Sequence, residues 1–194
     1  MRNLGILSVF VLALLPSATA QDQKPNNWSV GAGVGWFHYV NTLDIGSDLA
    51  KTNQVGYTFR FMWEPEHRLA LGLESGYYTV YSMERAPSAQ GPGGNAKLSA
   101  IPLLLSFRIR VLPNLFLSGG PGMTIMYSDV TVLNSTANSS FLSLANLHVS
   151  AMYRKKINDR FDVGAEFKFL NFGKTEDYGY SLQVVGAYHF RFKK

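Results

Sequence analysis

Gln54-Val55-Gly56-Tyr57-Thr58-Phe59-Arg60-Phe61-Met62-Trp63-Glu64 alternates without a break. Val55, Tyr57, Phe59, Phe61 and Trp63 fall on one side of an extended chain; Gln54, Thr58, Arg60 and Glu64 fall on the other. Successive side chains of a strand point to opposite faces, so this period of two predicts a β-strand whose faces meet unlike surroundings. A helix would scatter both sets around its circumference.

The pattern recurs in both directions from this stretch. Further runs cover 28–37, 69–83, 98–110, 115–127, 141–154, 161–171 and 180–192, which makes eight in all. Ile101, Leu103, Leu105, Phe107 and Ile109 are in phase in one run. Phe141, Ala145, Leu147, Val149, Ala151 and Tyr153 are read as one phase in another. Val163, Ala165, Phe167 and Phe169 form a third series, and Leu182, Val184, Tyr188, Phe190 and Phe192 a fourth. The connections 65–68, 111–114 and 155–160 read as tight turns, whereas 38–53, 84–97, 128–140 and 172–179 read as long loops. The expected fold is all-β: an eight-stranded antiparallel transmembrane β-barrel, with both chain ends on the short-turn rim.

The position of the charges decides which face meets lipid. Arg60, Glu64, Glu74, Arg108, Arg110, His148, Arg154, Asp162, Glu166, Lys168, His189 and Arg191 all lie opposite the apolar series of their own run. An Arg or Lys on the lipid face at mid-bilayer costs about 2–4 kcal/mol, whereas inside a barrel it can pair. The apolar face is therefore expected to meet acyl chains, and the charged face the lumen. Aromatics bracket this band. Trp28, Trp63, Phe107, Tyr153, Phe161 and Phe192 are expected near the short-turn rim. Trp36, Tyr57, Tyr77, Tyr81, Tyr127, Phe141, Phe169 and Tyr180 are expected toward the other rim. No strand edge can stay unpaired in hydrocarbon, so the first run must pair with the last. Pro102 and Pro121 each remove a ladder donor and are read as a bulge or local opening.

The remaining composition fits an exported chain. It has 194 residues, 46% hydrophobic and 16% charged, which excludes a disordered tail. Without cysteine there is no disulfide scaffold, thiol nucleophile, cysteine zinc site or lipoprotein anchor. The formal charge of +5 is dispersed, so no nucleic-acid partner is expected. Residues 1–20 read as a cleaved signal peptide: Arg2, an apolar core Leu4 to Leu15, a break at Pro16-Ser17, and Ala18-Thr19-Ala20 before Gln21. The barrel domain is then 21–194.

These features resemble the small eight-stranded outer-membrane β-barrel family of the OmpA/OmpX type. The resemblance rests on the leader, the eight runs, Ser118-Gly119-Gly120-Pro121-Gly122, and the aromatic run Gly186-Ala187-Tyr188-His189-Phe190-Arg191-Phe192. It implies a monomer in the Gram-negative outer membrane, in contact with lipid and lipopolysaccharide and delivered by the barrel-assembly machinery. Lys193 and Lys194 after the last aromatic depart from the family pattern. The resemblance also implies a polar, plugged lumen built from Arg60, Glu74, Arg108, His148, Glu166 and Lys168, with a structural or surface-interaction role through the loops. No catalytic residue, cofactor or metal is expected.

Two other readings stay open. A narrow channel would need the lumen network to part. A lipid A-modifying hydrolase would need His148-Val149-Ser150 beside Glu166, which counting through the turn 155–160 places opposite His148. Ala151 stands where that hydrolase family usually has Asn. The glycines of Gly31-Ala32-Gly33-Val34-Gly35 precede no helix and are read as relieving lumen crowding. Asn134-Ser135-Thr136 and Asn138-Ser139-Ser140 are read as polar loop residues; Asp44, Asp48 and Glu84 fix no ligand geometry.

Overall fold

The computed structural model describes residues 26–40, 50–65, 68–85, 93–132, 135–173 and 177–192. The expected signal peptide, Asp44 and Asp48 lie outside them. The strands are β1 (Asn26–Val40), β2 (Ala50–Lys51), β3 (Asn53–Trp63), β4 (Leu69–Arg85), β5 (Gly94–Leu112), β6 (Leu115–Val132), β7 (Ser135–Lys156), β8 (Phe161–Phe172) and β9 (Asp177–Phe192). Ala50 and Lys51 of β2 pair with Met83 and Ser82 of β4, so β2 prolongs β3 and the wall has eight staves. Each stave pairs antiparallel with its neighbours, β4 with β5 included, and β1 pairs with β9 along its whole length to close the cylinder.

The outer wall is greasy. Val55, Tyr57, Phe59, Phe61, Leu73, Leu103, Phe107, Leu147, Val149, Phe167, Leu182 and Val184 are all exposed. In the same staves Thr58, Arg60, Glu74, Arg108, His148, Glu166, Lys168 and Gln183 are buried. Trp28 pairs with Trp63 at one level; Trp36, Tyr57, Tyr77 and Tyr127 lie exposed toward the other rim. Eight residues separate Trp28 from Trp36, which is about 27 Å of strand. After a barrel's usual tilt this becomes roughly 20 Å of depth, close to the apolar band of an outer-membrane barrel.

Two aromatics depart from the expected belt, and both departures come from bulges. In β4 the register slips between Thr79 and Tyr81, and Tyr81 packs against an interior cluster. In the β6–β7 ladder the register slips between Gly122 and Thr124. Leu142 and Leu144 take the outer face above this slip, and Phe141 packs inward. The single phase read for 141–153 is thus split, because one extra residue exchanges the faces of everything beyond it.

The connections differ from expectation too. Residues 128–132 pair with 135–139, with Val132 opposite Ser135. β5, β6 and β7 run for 19, 18 and 22 residues, where about 9–11 suffice to cross a bilayer. Both prolines sit beside ladder gaps. Between Ser75–Leu103 and Tyr78–Ala100 no pair forms at Pro102; between Leu104–Gly122 and Phe107–Gly119 none forms at Pro121. A residue without an N–H cannot serve that side of the ladder.

Candidate functional site: the lumen and its two mouths

The lumen is built in tiers. At mid-height, cross-strand register sets Arg60 of β3 opposite Glu74 of β4, with Nε donating to the carboxylate at 2.7 Å. Glu166 and Lys168 share a face of β8, two residues apart. Arg60 also bonds Glu166 across the lumen, Lys168 bonds Glu74, and Lys168 lies 3.6 Å from Glu166. The result is a closed ring of two cations and two carboxylates, in which Arg60 is the most exposed member at 6%. Each charge in such a site needs its partner, because desolvation of a lone ion costs several kcal/mol.

Arg108, expected in the same network, belongs to a second tier nearer the short turns. Its hub is Glu64, which follows the last residue of β3. Arg108 Nη1 lies 2.7 Å and Arg154 Nη1 3.4 Å from the Glu64 carboxylate. His189 Nδ1 stands 3.6 Å away, and Ser29 Oγ donates to it at 2.8 Å. His189 Nε2 also reaches Asp162 at 2.9 Å. Burial pushes the Glu64 carboxyl up, but Arg154, Arg108, His189 and the Ser29 hydroxyl together hold it below its ordinary value of 4.5. The sequence marked Glu64, Arg154, Asp162 and His189 as inward charges and did not mark them as a cluster. Their common signal was position: each stands at the short-turn end of its run.

Between the ionic tiers lie Met62, Met152, Phe116 and Val185, all buried. Beyond the Arg60 ring a large apolar cluster joins buried Ser99, Thr124, Ser143, Asn146 and Asp177, an addition the expectation of a polar lumen did not include. Phe37, Tyr39, Tyr78, Val80, Leu98, Ala100, Leu104, Met126, Leu170 and Phe172 form one buried cluster. The Phe37 and Tyr78 rings pack 4.8 Å apart between centroids. Glycines make the room: a Cβ on Gly56 would come 2.7 Å from the Tyr78 ring, and one on Gly179 2.6 Å from the Phe37 ring. A Cβ on Gly33 would meet Thr58 Oγ1 at 2.6 Å, consistent with the glycines of β1 relieving crowding.

The hydrolase arrangement is not present. The ladder places His148 opposite Leu170, and Glu166 opposite Met152. The turn between β7 and β8 is tighter than the count assumed, so Glu166 sits four residues from the level of His148. His148 is buried and makes no ion pair with the ring; its ring nitrogens and Ser150 Oγ have no hydrogen-bond partner among the described residues.

A closed antiparallel cylinder with a greasy outer wall, aromatic belts and ion pairs inside is a transmembrane β-barrel of the bacterial outer membrane. The sequence matches the outer membrane protein beta-barrel domain family over residues 7–190, and the chain belongs to that family. No curated protein matches it in sequence. Its fold is similar to that of Ail, the attachment invasion locus protein of Yersinia pestis, solved with the heparin analogue sucrose octasulfate: 13% identity, 86% of this chain and 100% of that one, TM-score 0.56. It is similar to Neisserial surface protein A, with 14% identity, 84% and 97% coverage, and TM-score 0.53. A major outer membrane protein from Thermus thermophilus shares 13% identity over 85% and 99% of the two chains, with TM-score 0.59. At such identities the likeness is one of fold. The chain is an outer-membrane β-barrel protein of a Gram-negative bacterium.

Proposed function

We propose that this barrel is a plugged, non-enzymatic monomer, exported by a leader at 1–20, which acts through its outer rim. The observation that carries the surface role is the overlong β5–β6–β7 sheet. Among the described residues, Ser135–Ser143 and Asn146 of β7 pair with β6 alone, while β8 joins β7 only from Leu147 onward. A free edge beyond the bilayer offers unpaired N–H and C=O groups to another molecule. The fold likeness to the attachment invasion locus protein of Yersinia pestis supports this reading. Lipid and lipopolysaccharide surround the wall, and assembly passes through the barrel-assembly machinery.

The plug reading is supported by the stacked ionic and apolar tiers. An interior cavity beside Arg60, Met62 and Met152 measures about 10 Å³, at most room for one water. Planar-bilayer recording on the purified protein tests it. The expected result is no steady conductance, and stable ohmic steps contradict the reading. Deleting residues 129–138 tests the surface role. The shortened barrel should keep its heat-dependent gel mobility, and whole cells expressing it should lose adhesion to immobilised host matrix. Undiminished adhesion contradicts the role.

A further inference from the structure

The short-turn end of the lumen opens into a vestibule of about 1280 Å³. Arg110, Arg154, Lys156 and Arg160 line it, and an adjoining recess adds Arg68 and Arg108. Among the described residues, three carboxylates stand against these six cations, all engaged already. Glu64 is held by Arg108 and Arg154, Asp162 by His189 at 2.9 Å, and Asp159 by Lys156 at 2.7 Å. Arg68, Arg110 and Arg160 form no ion pair with any described residue. Arg154 is 5% exposed, lies 4.3 Å over the Phe116 ring, and leaves its Nε without a hydrogen-bond partner. Among the described residues, the mouth therefore holds more positive charge and more donors than its own carboxylates satisfy.

Its frame is fixed. His189 N donates to Arg160 O at 2.8 Å, and Arg154 N to Asn114 O at 2.9 Å, tying the turns to neighbouring staves. The Arg160 amide donates to Asn158 Oδ1 at 2.9 Å. Cations gathered in a cleft with low-dielectric walls focus their field on an entering anion. Guanidinium forks match carboxylate and phosphate geometry. Buried Phe116 adds apolar wall beside them.

We propose that this vestibule binds a small multivalent anion, carboxylate- or phosphate-bearing, entering from the periplasmic side. The site is separate from the outer rim and does not depend on the surface role. A soluble anion and an anionic headgroup of the inner leaflet share this chemistry, and the experiment separates them.

The full barrel is reconstituted in phosphatidylcholine nanodiscs and titrated calorimetrically with citrate and with inorganic phosphate. The expected result is saturable, salt-sensitive binding of at least one anion, weakened about tenfold or more in Arg110→Gln/Arg160→Gln. Neither arginine holds an ion pair, so the variant should fold, and its gel mobility before and after boiling verifies this. Arg68→Gln/Lys156→Gln, which removes the cations before β4 and at the end of β7, should weaken binding as well. Phenylglyoxal modification of Arg110 and Arg160, mapped by peptide mass, should slow when citrate is present. In phosphatidylglycerol nanodiscs, loss of citrate binding assigns the site to a headgroup and retained binding to a soluble anion. No saturable binding of either anion in phosphatidylcholine, or equal binding by wild type and both double variants, overturns the proposal.

Discussion

On the short-turn side of the lumen, Arg60, Glu74, Glu166 and Lys168 meet as paired charges; on the other side Phe37, Tyr78, Leu104 and Leu170 meet as hydrocarbon. The wall outside changes in the same direction. Around the ring it is Phe59, Leu73 and Phe167, facing lipid. At the far rim it carries exposed Lys51, Glu84, Arg85, Lys97 and Asp129. The apolar cluster starts within the lipid band, where Leu104 stands between exposed Leu103 and Leu105, and continues through Val80 and Leu98 to the level of those charges. The outer end is thus built as a soluble barrel is built, with apolar packing under a polar skin. Within the bilayer, apolar surface gains nothing by turning inward, so the lumen is free to hold charge.

The contrast makes the two halves respond differently to substitution. Lys168→Met should have the largest effect. It leaves Glu74 and Glu166 sharing only Arg60, and should cost about 3–5 kcal/mol, as expected for one member removed from a buried pair. Urea titration of the barrel in lipid vesicles, followed by tryptophan fluorescence, measures it. Glu74→Leu/Lys168→Met, which restores one cation to one carboxylate, should regain most of the loss. If the double variant is no better than the single, the ring is not a unit.

In the apolar half the expected effect is smaller and steric. Gly56→Ala drives a methyl into the Tyr78 ring at 2.7 Å, and overpacking of this kind costs about 1–3 kcal/mol. Adding Tyr78→Leu should relieve part of it, a coupling that the same titration reads. Additive losses would mean that the ring does not occupy this space.

The smallest effect is on pH. Glu64 in the folded barrel titrates below its ordinary value of 4.5. Its contribution is present above that unfolded value and is lost as pH falls through the folded one. Wild type should therefore lose more stability than Glu64→Gln as the urea titration is repeated from pH 6 downward. Parallel curves would remove Glu64 as the hub.

How much of this the sequence disclosed follows the same division. Around Arg60 the alternation runs unbroken, so Val55 to Trp63 and Leu103 to Ile109 declared their faces directly. Beyond the slip at Thr79–Tyr81 parity reverses with no composition signal; beside Gly122–Thr124, Pro121 marks a bulge but not its effect on register, so plain alternation puts Tyr81 and Phe141 on the wrong side. Residues 128–140 are rich in Ser, Thr and Asn and show no sustained apolar alternation, so pattern reading cannot tell a hairpin from a loop there. The His148–Glu166 level depended on the register through one turn, which spacing alone does not set. Charge type was legible; which charges share a tier was not, because tier membership depends on stagger between staves that are distant in sequence.

The chain has no cysteine, so single cysteines can be introduced one at a time and labelled with a nitroxide. A scan of 55–60 and 103–108 in lipid vesicles, read by collisional broadening with oxygen against a water-soluble nickel chelate, tests the orientation of the whole wall. Oxygen contact should peak at 55, 57, 59, 103, 105 and 107 and fall at 58, 60, 106 and 108. Peaks at 58, 60, 106 and 108, with nickel reaching 59 and 103, would contradict it.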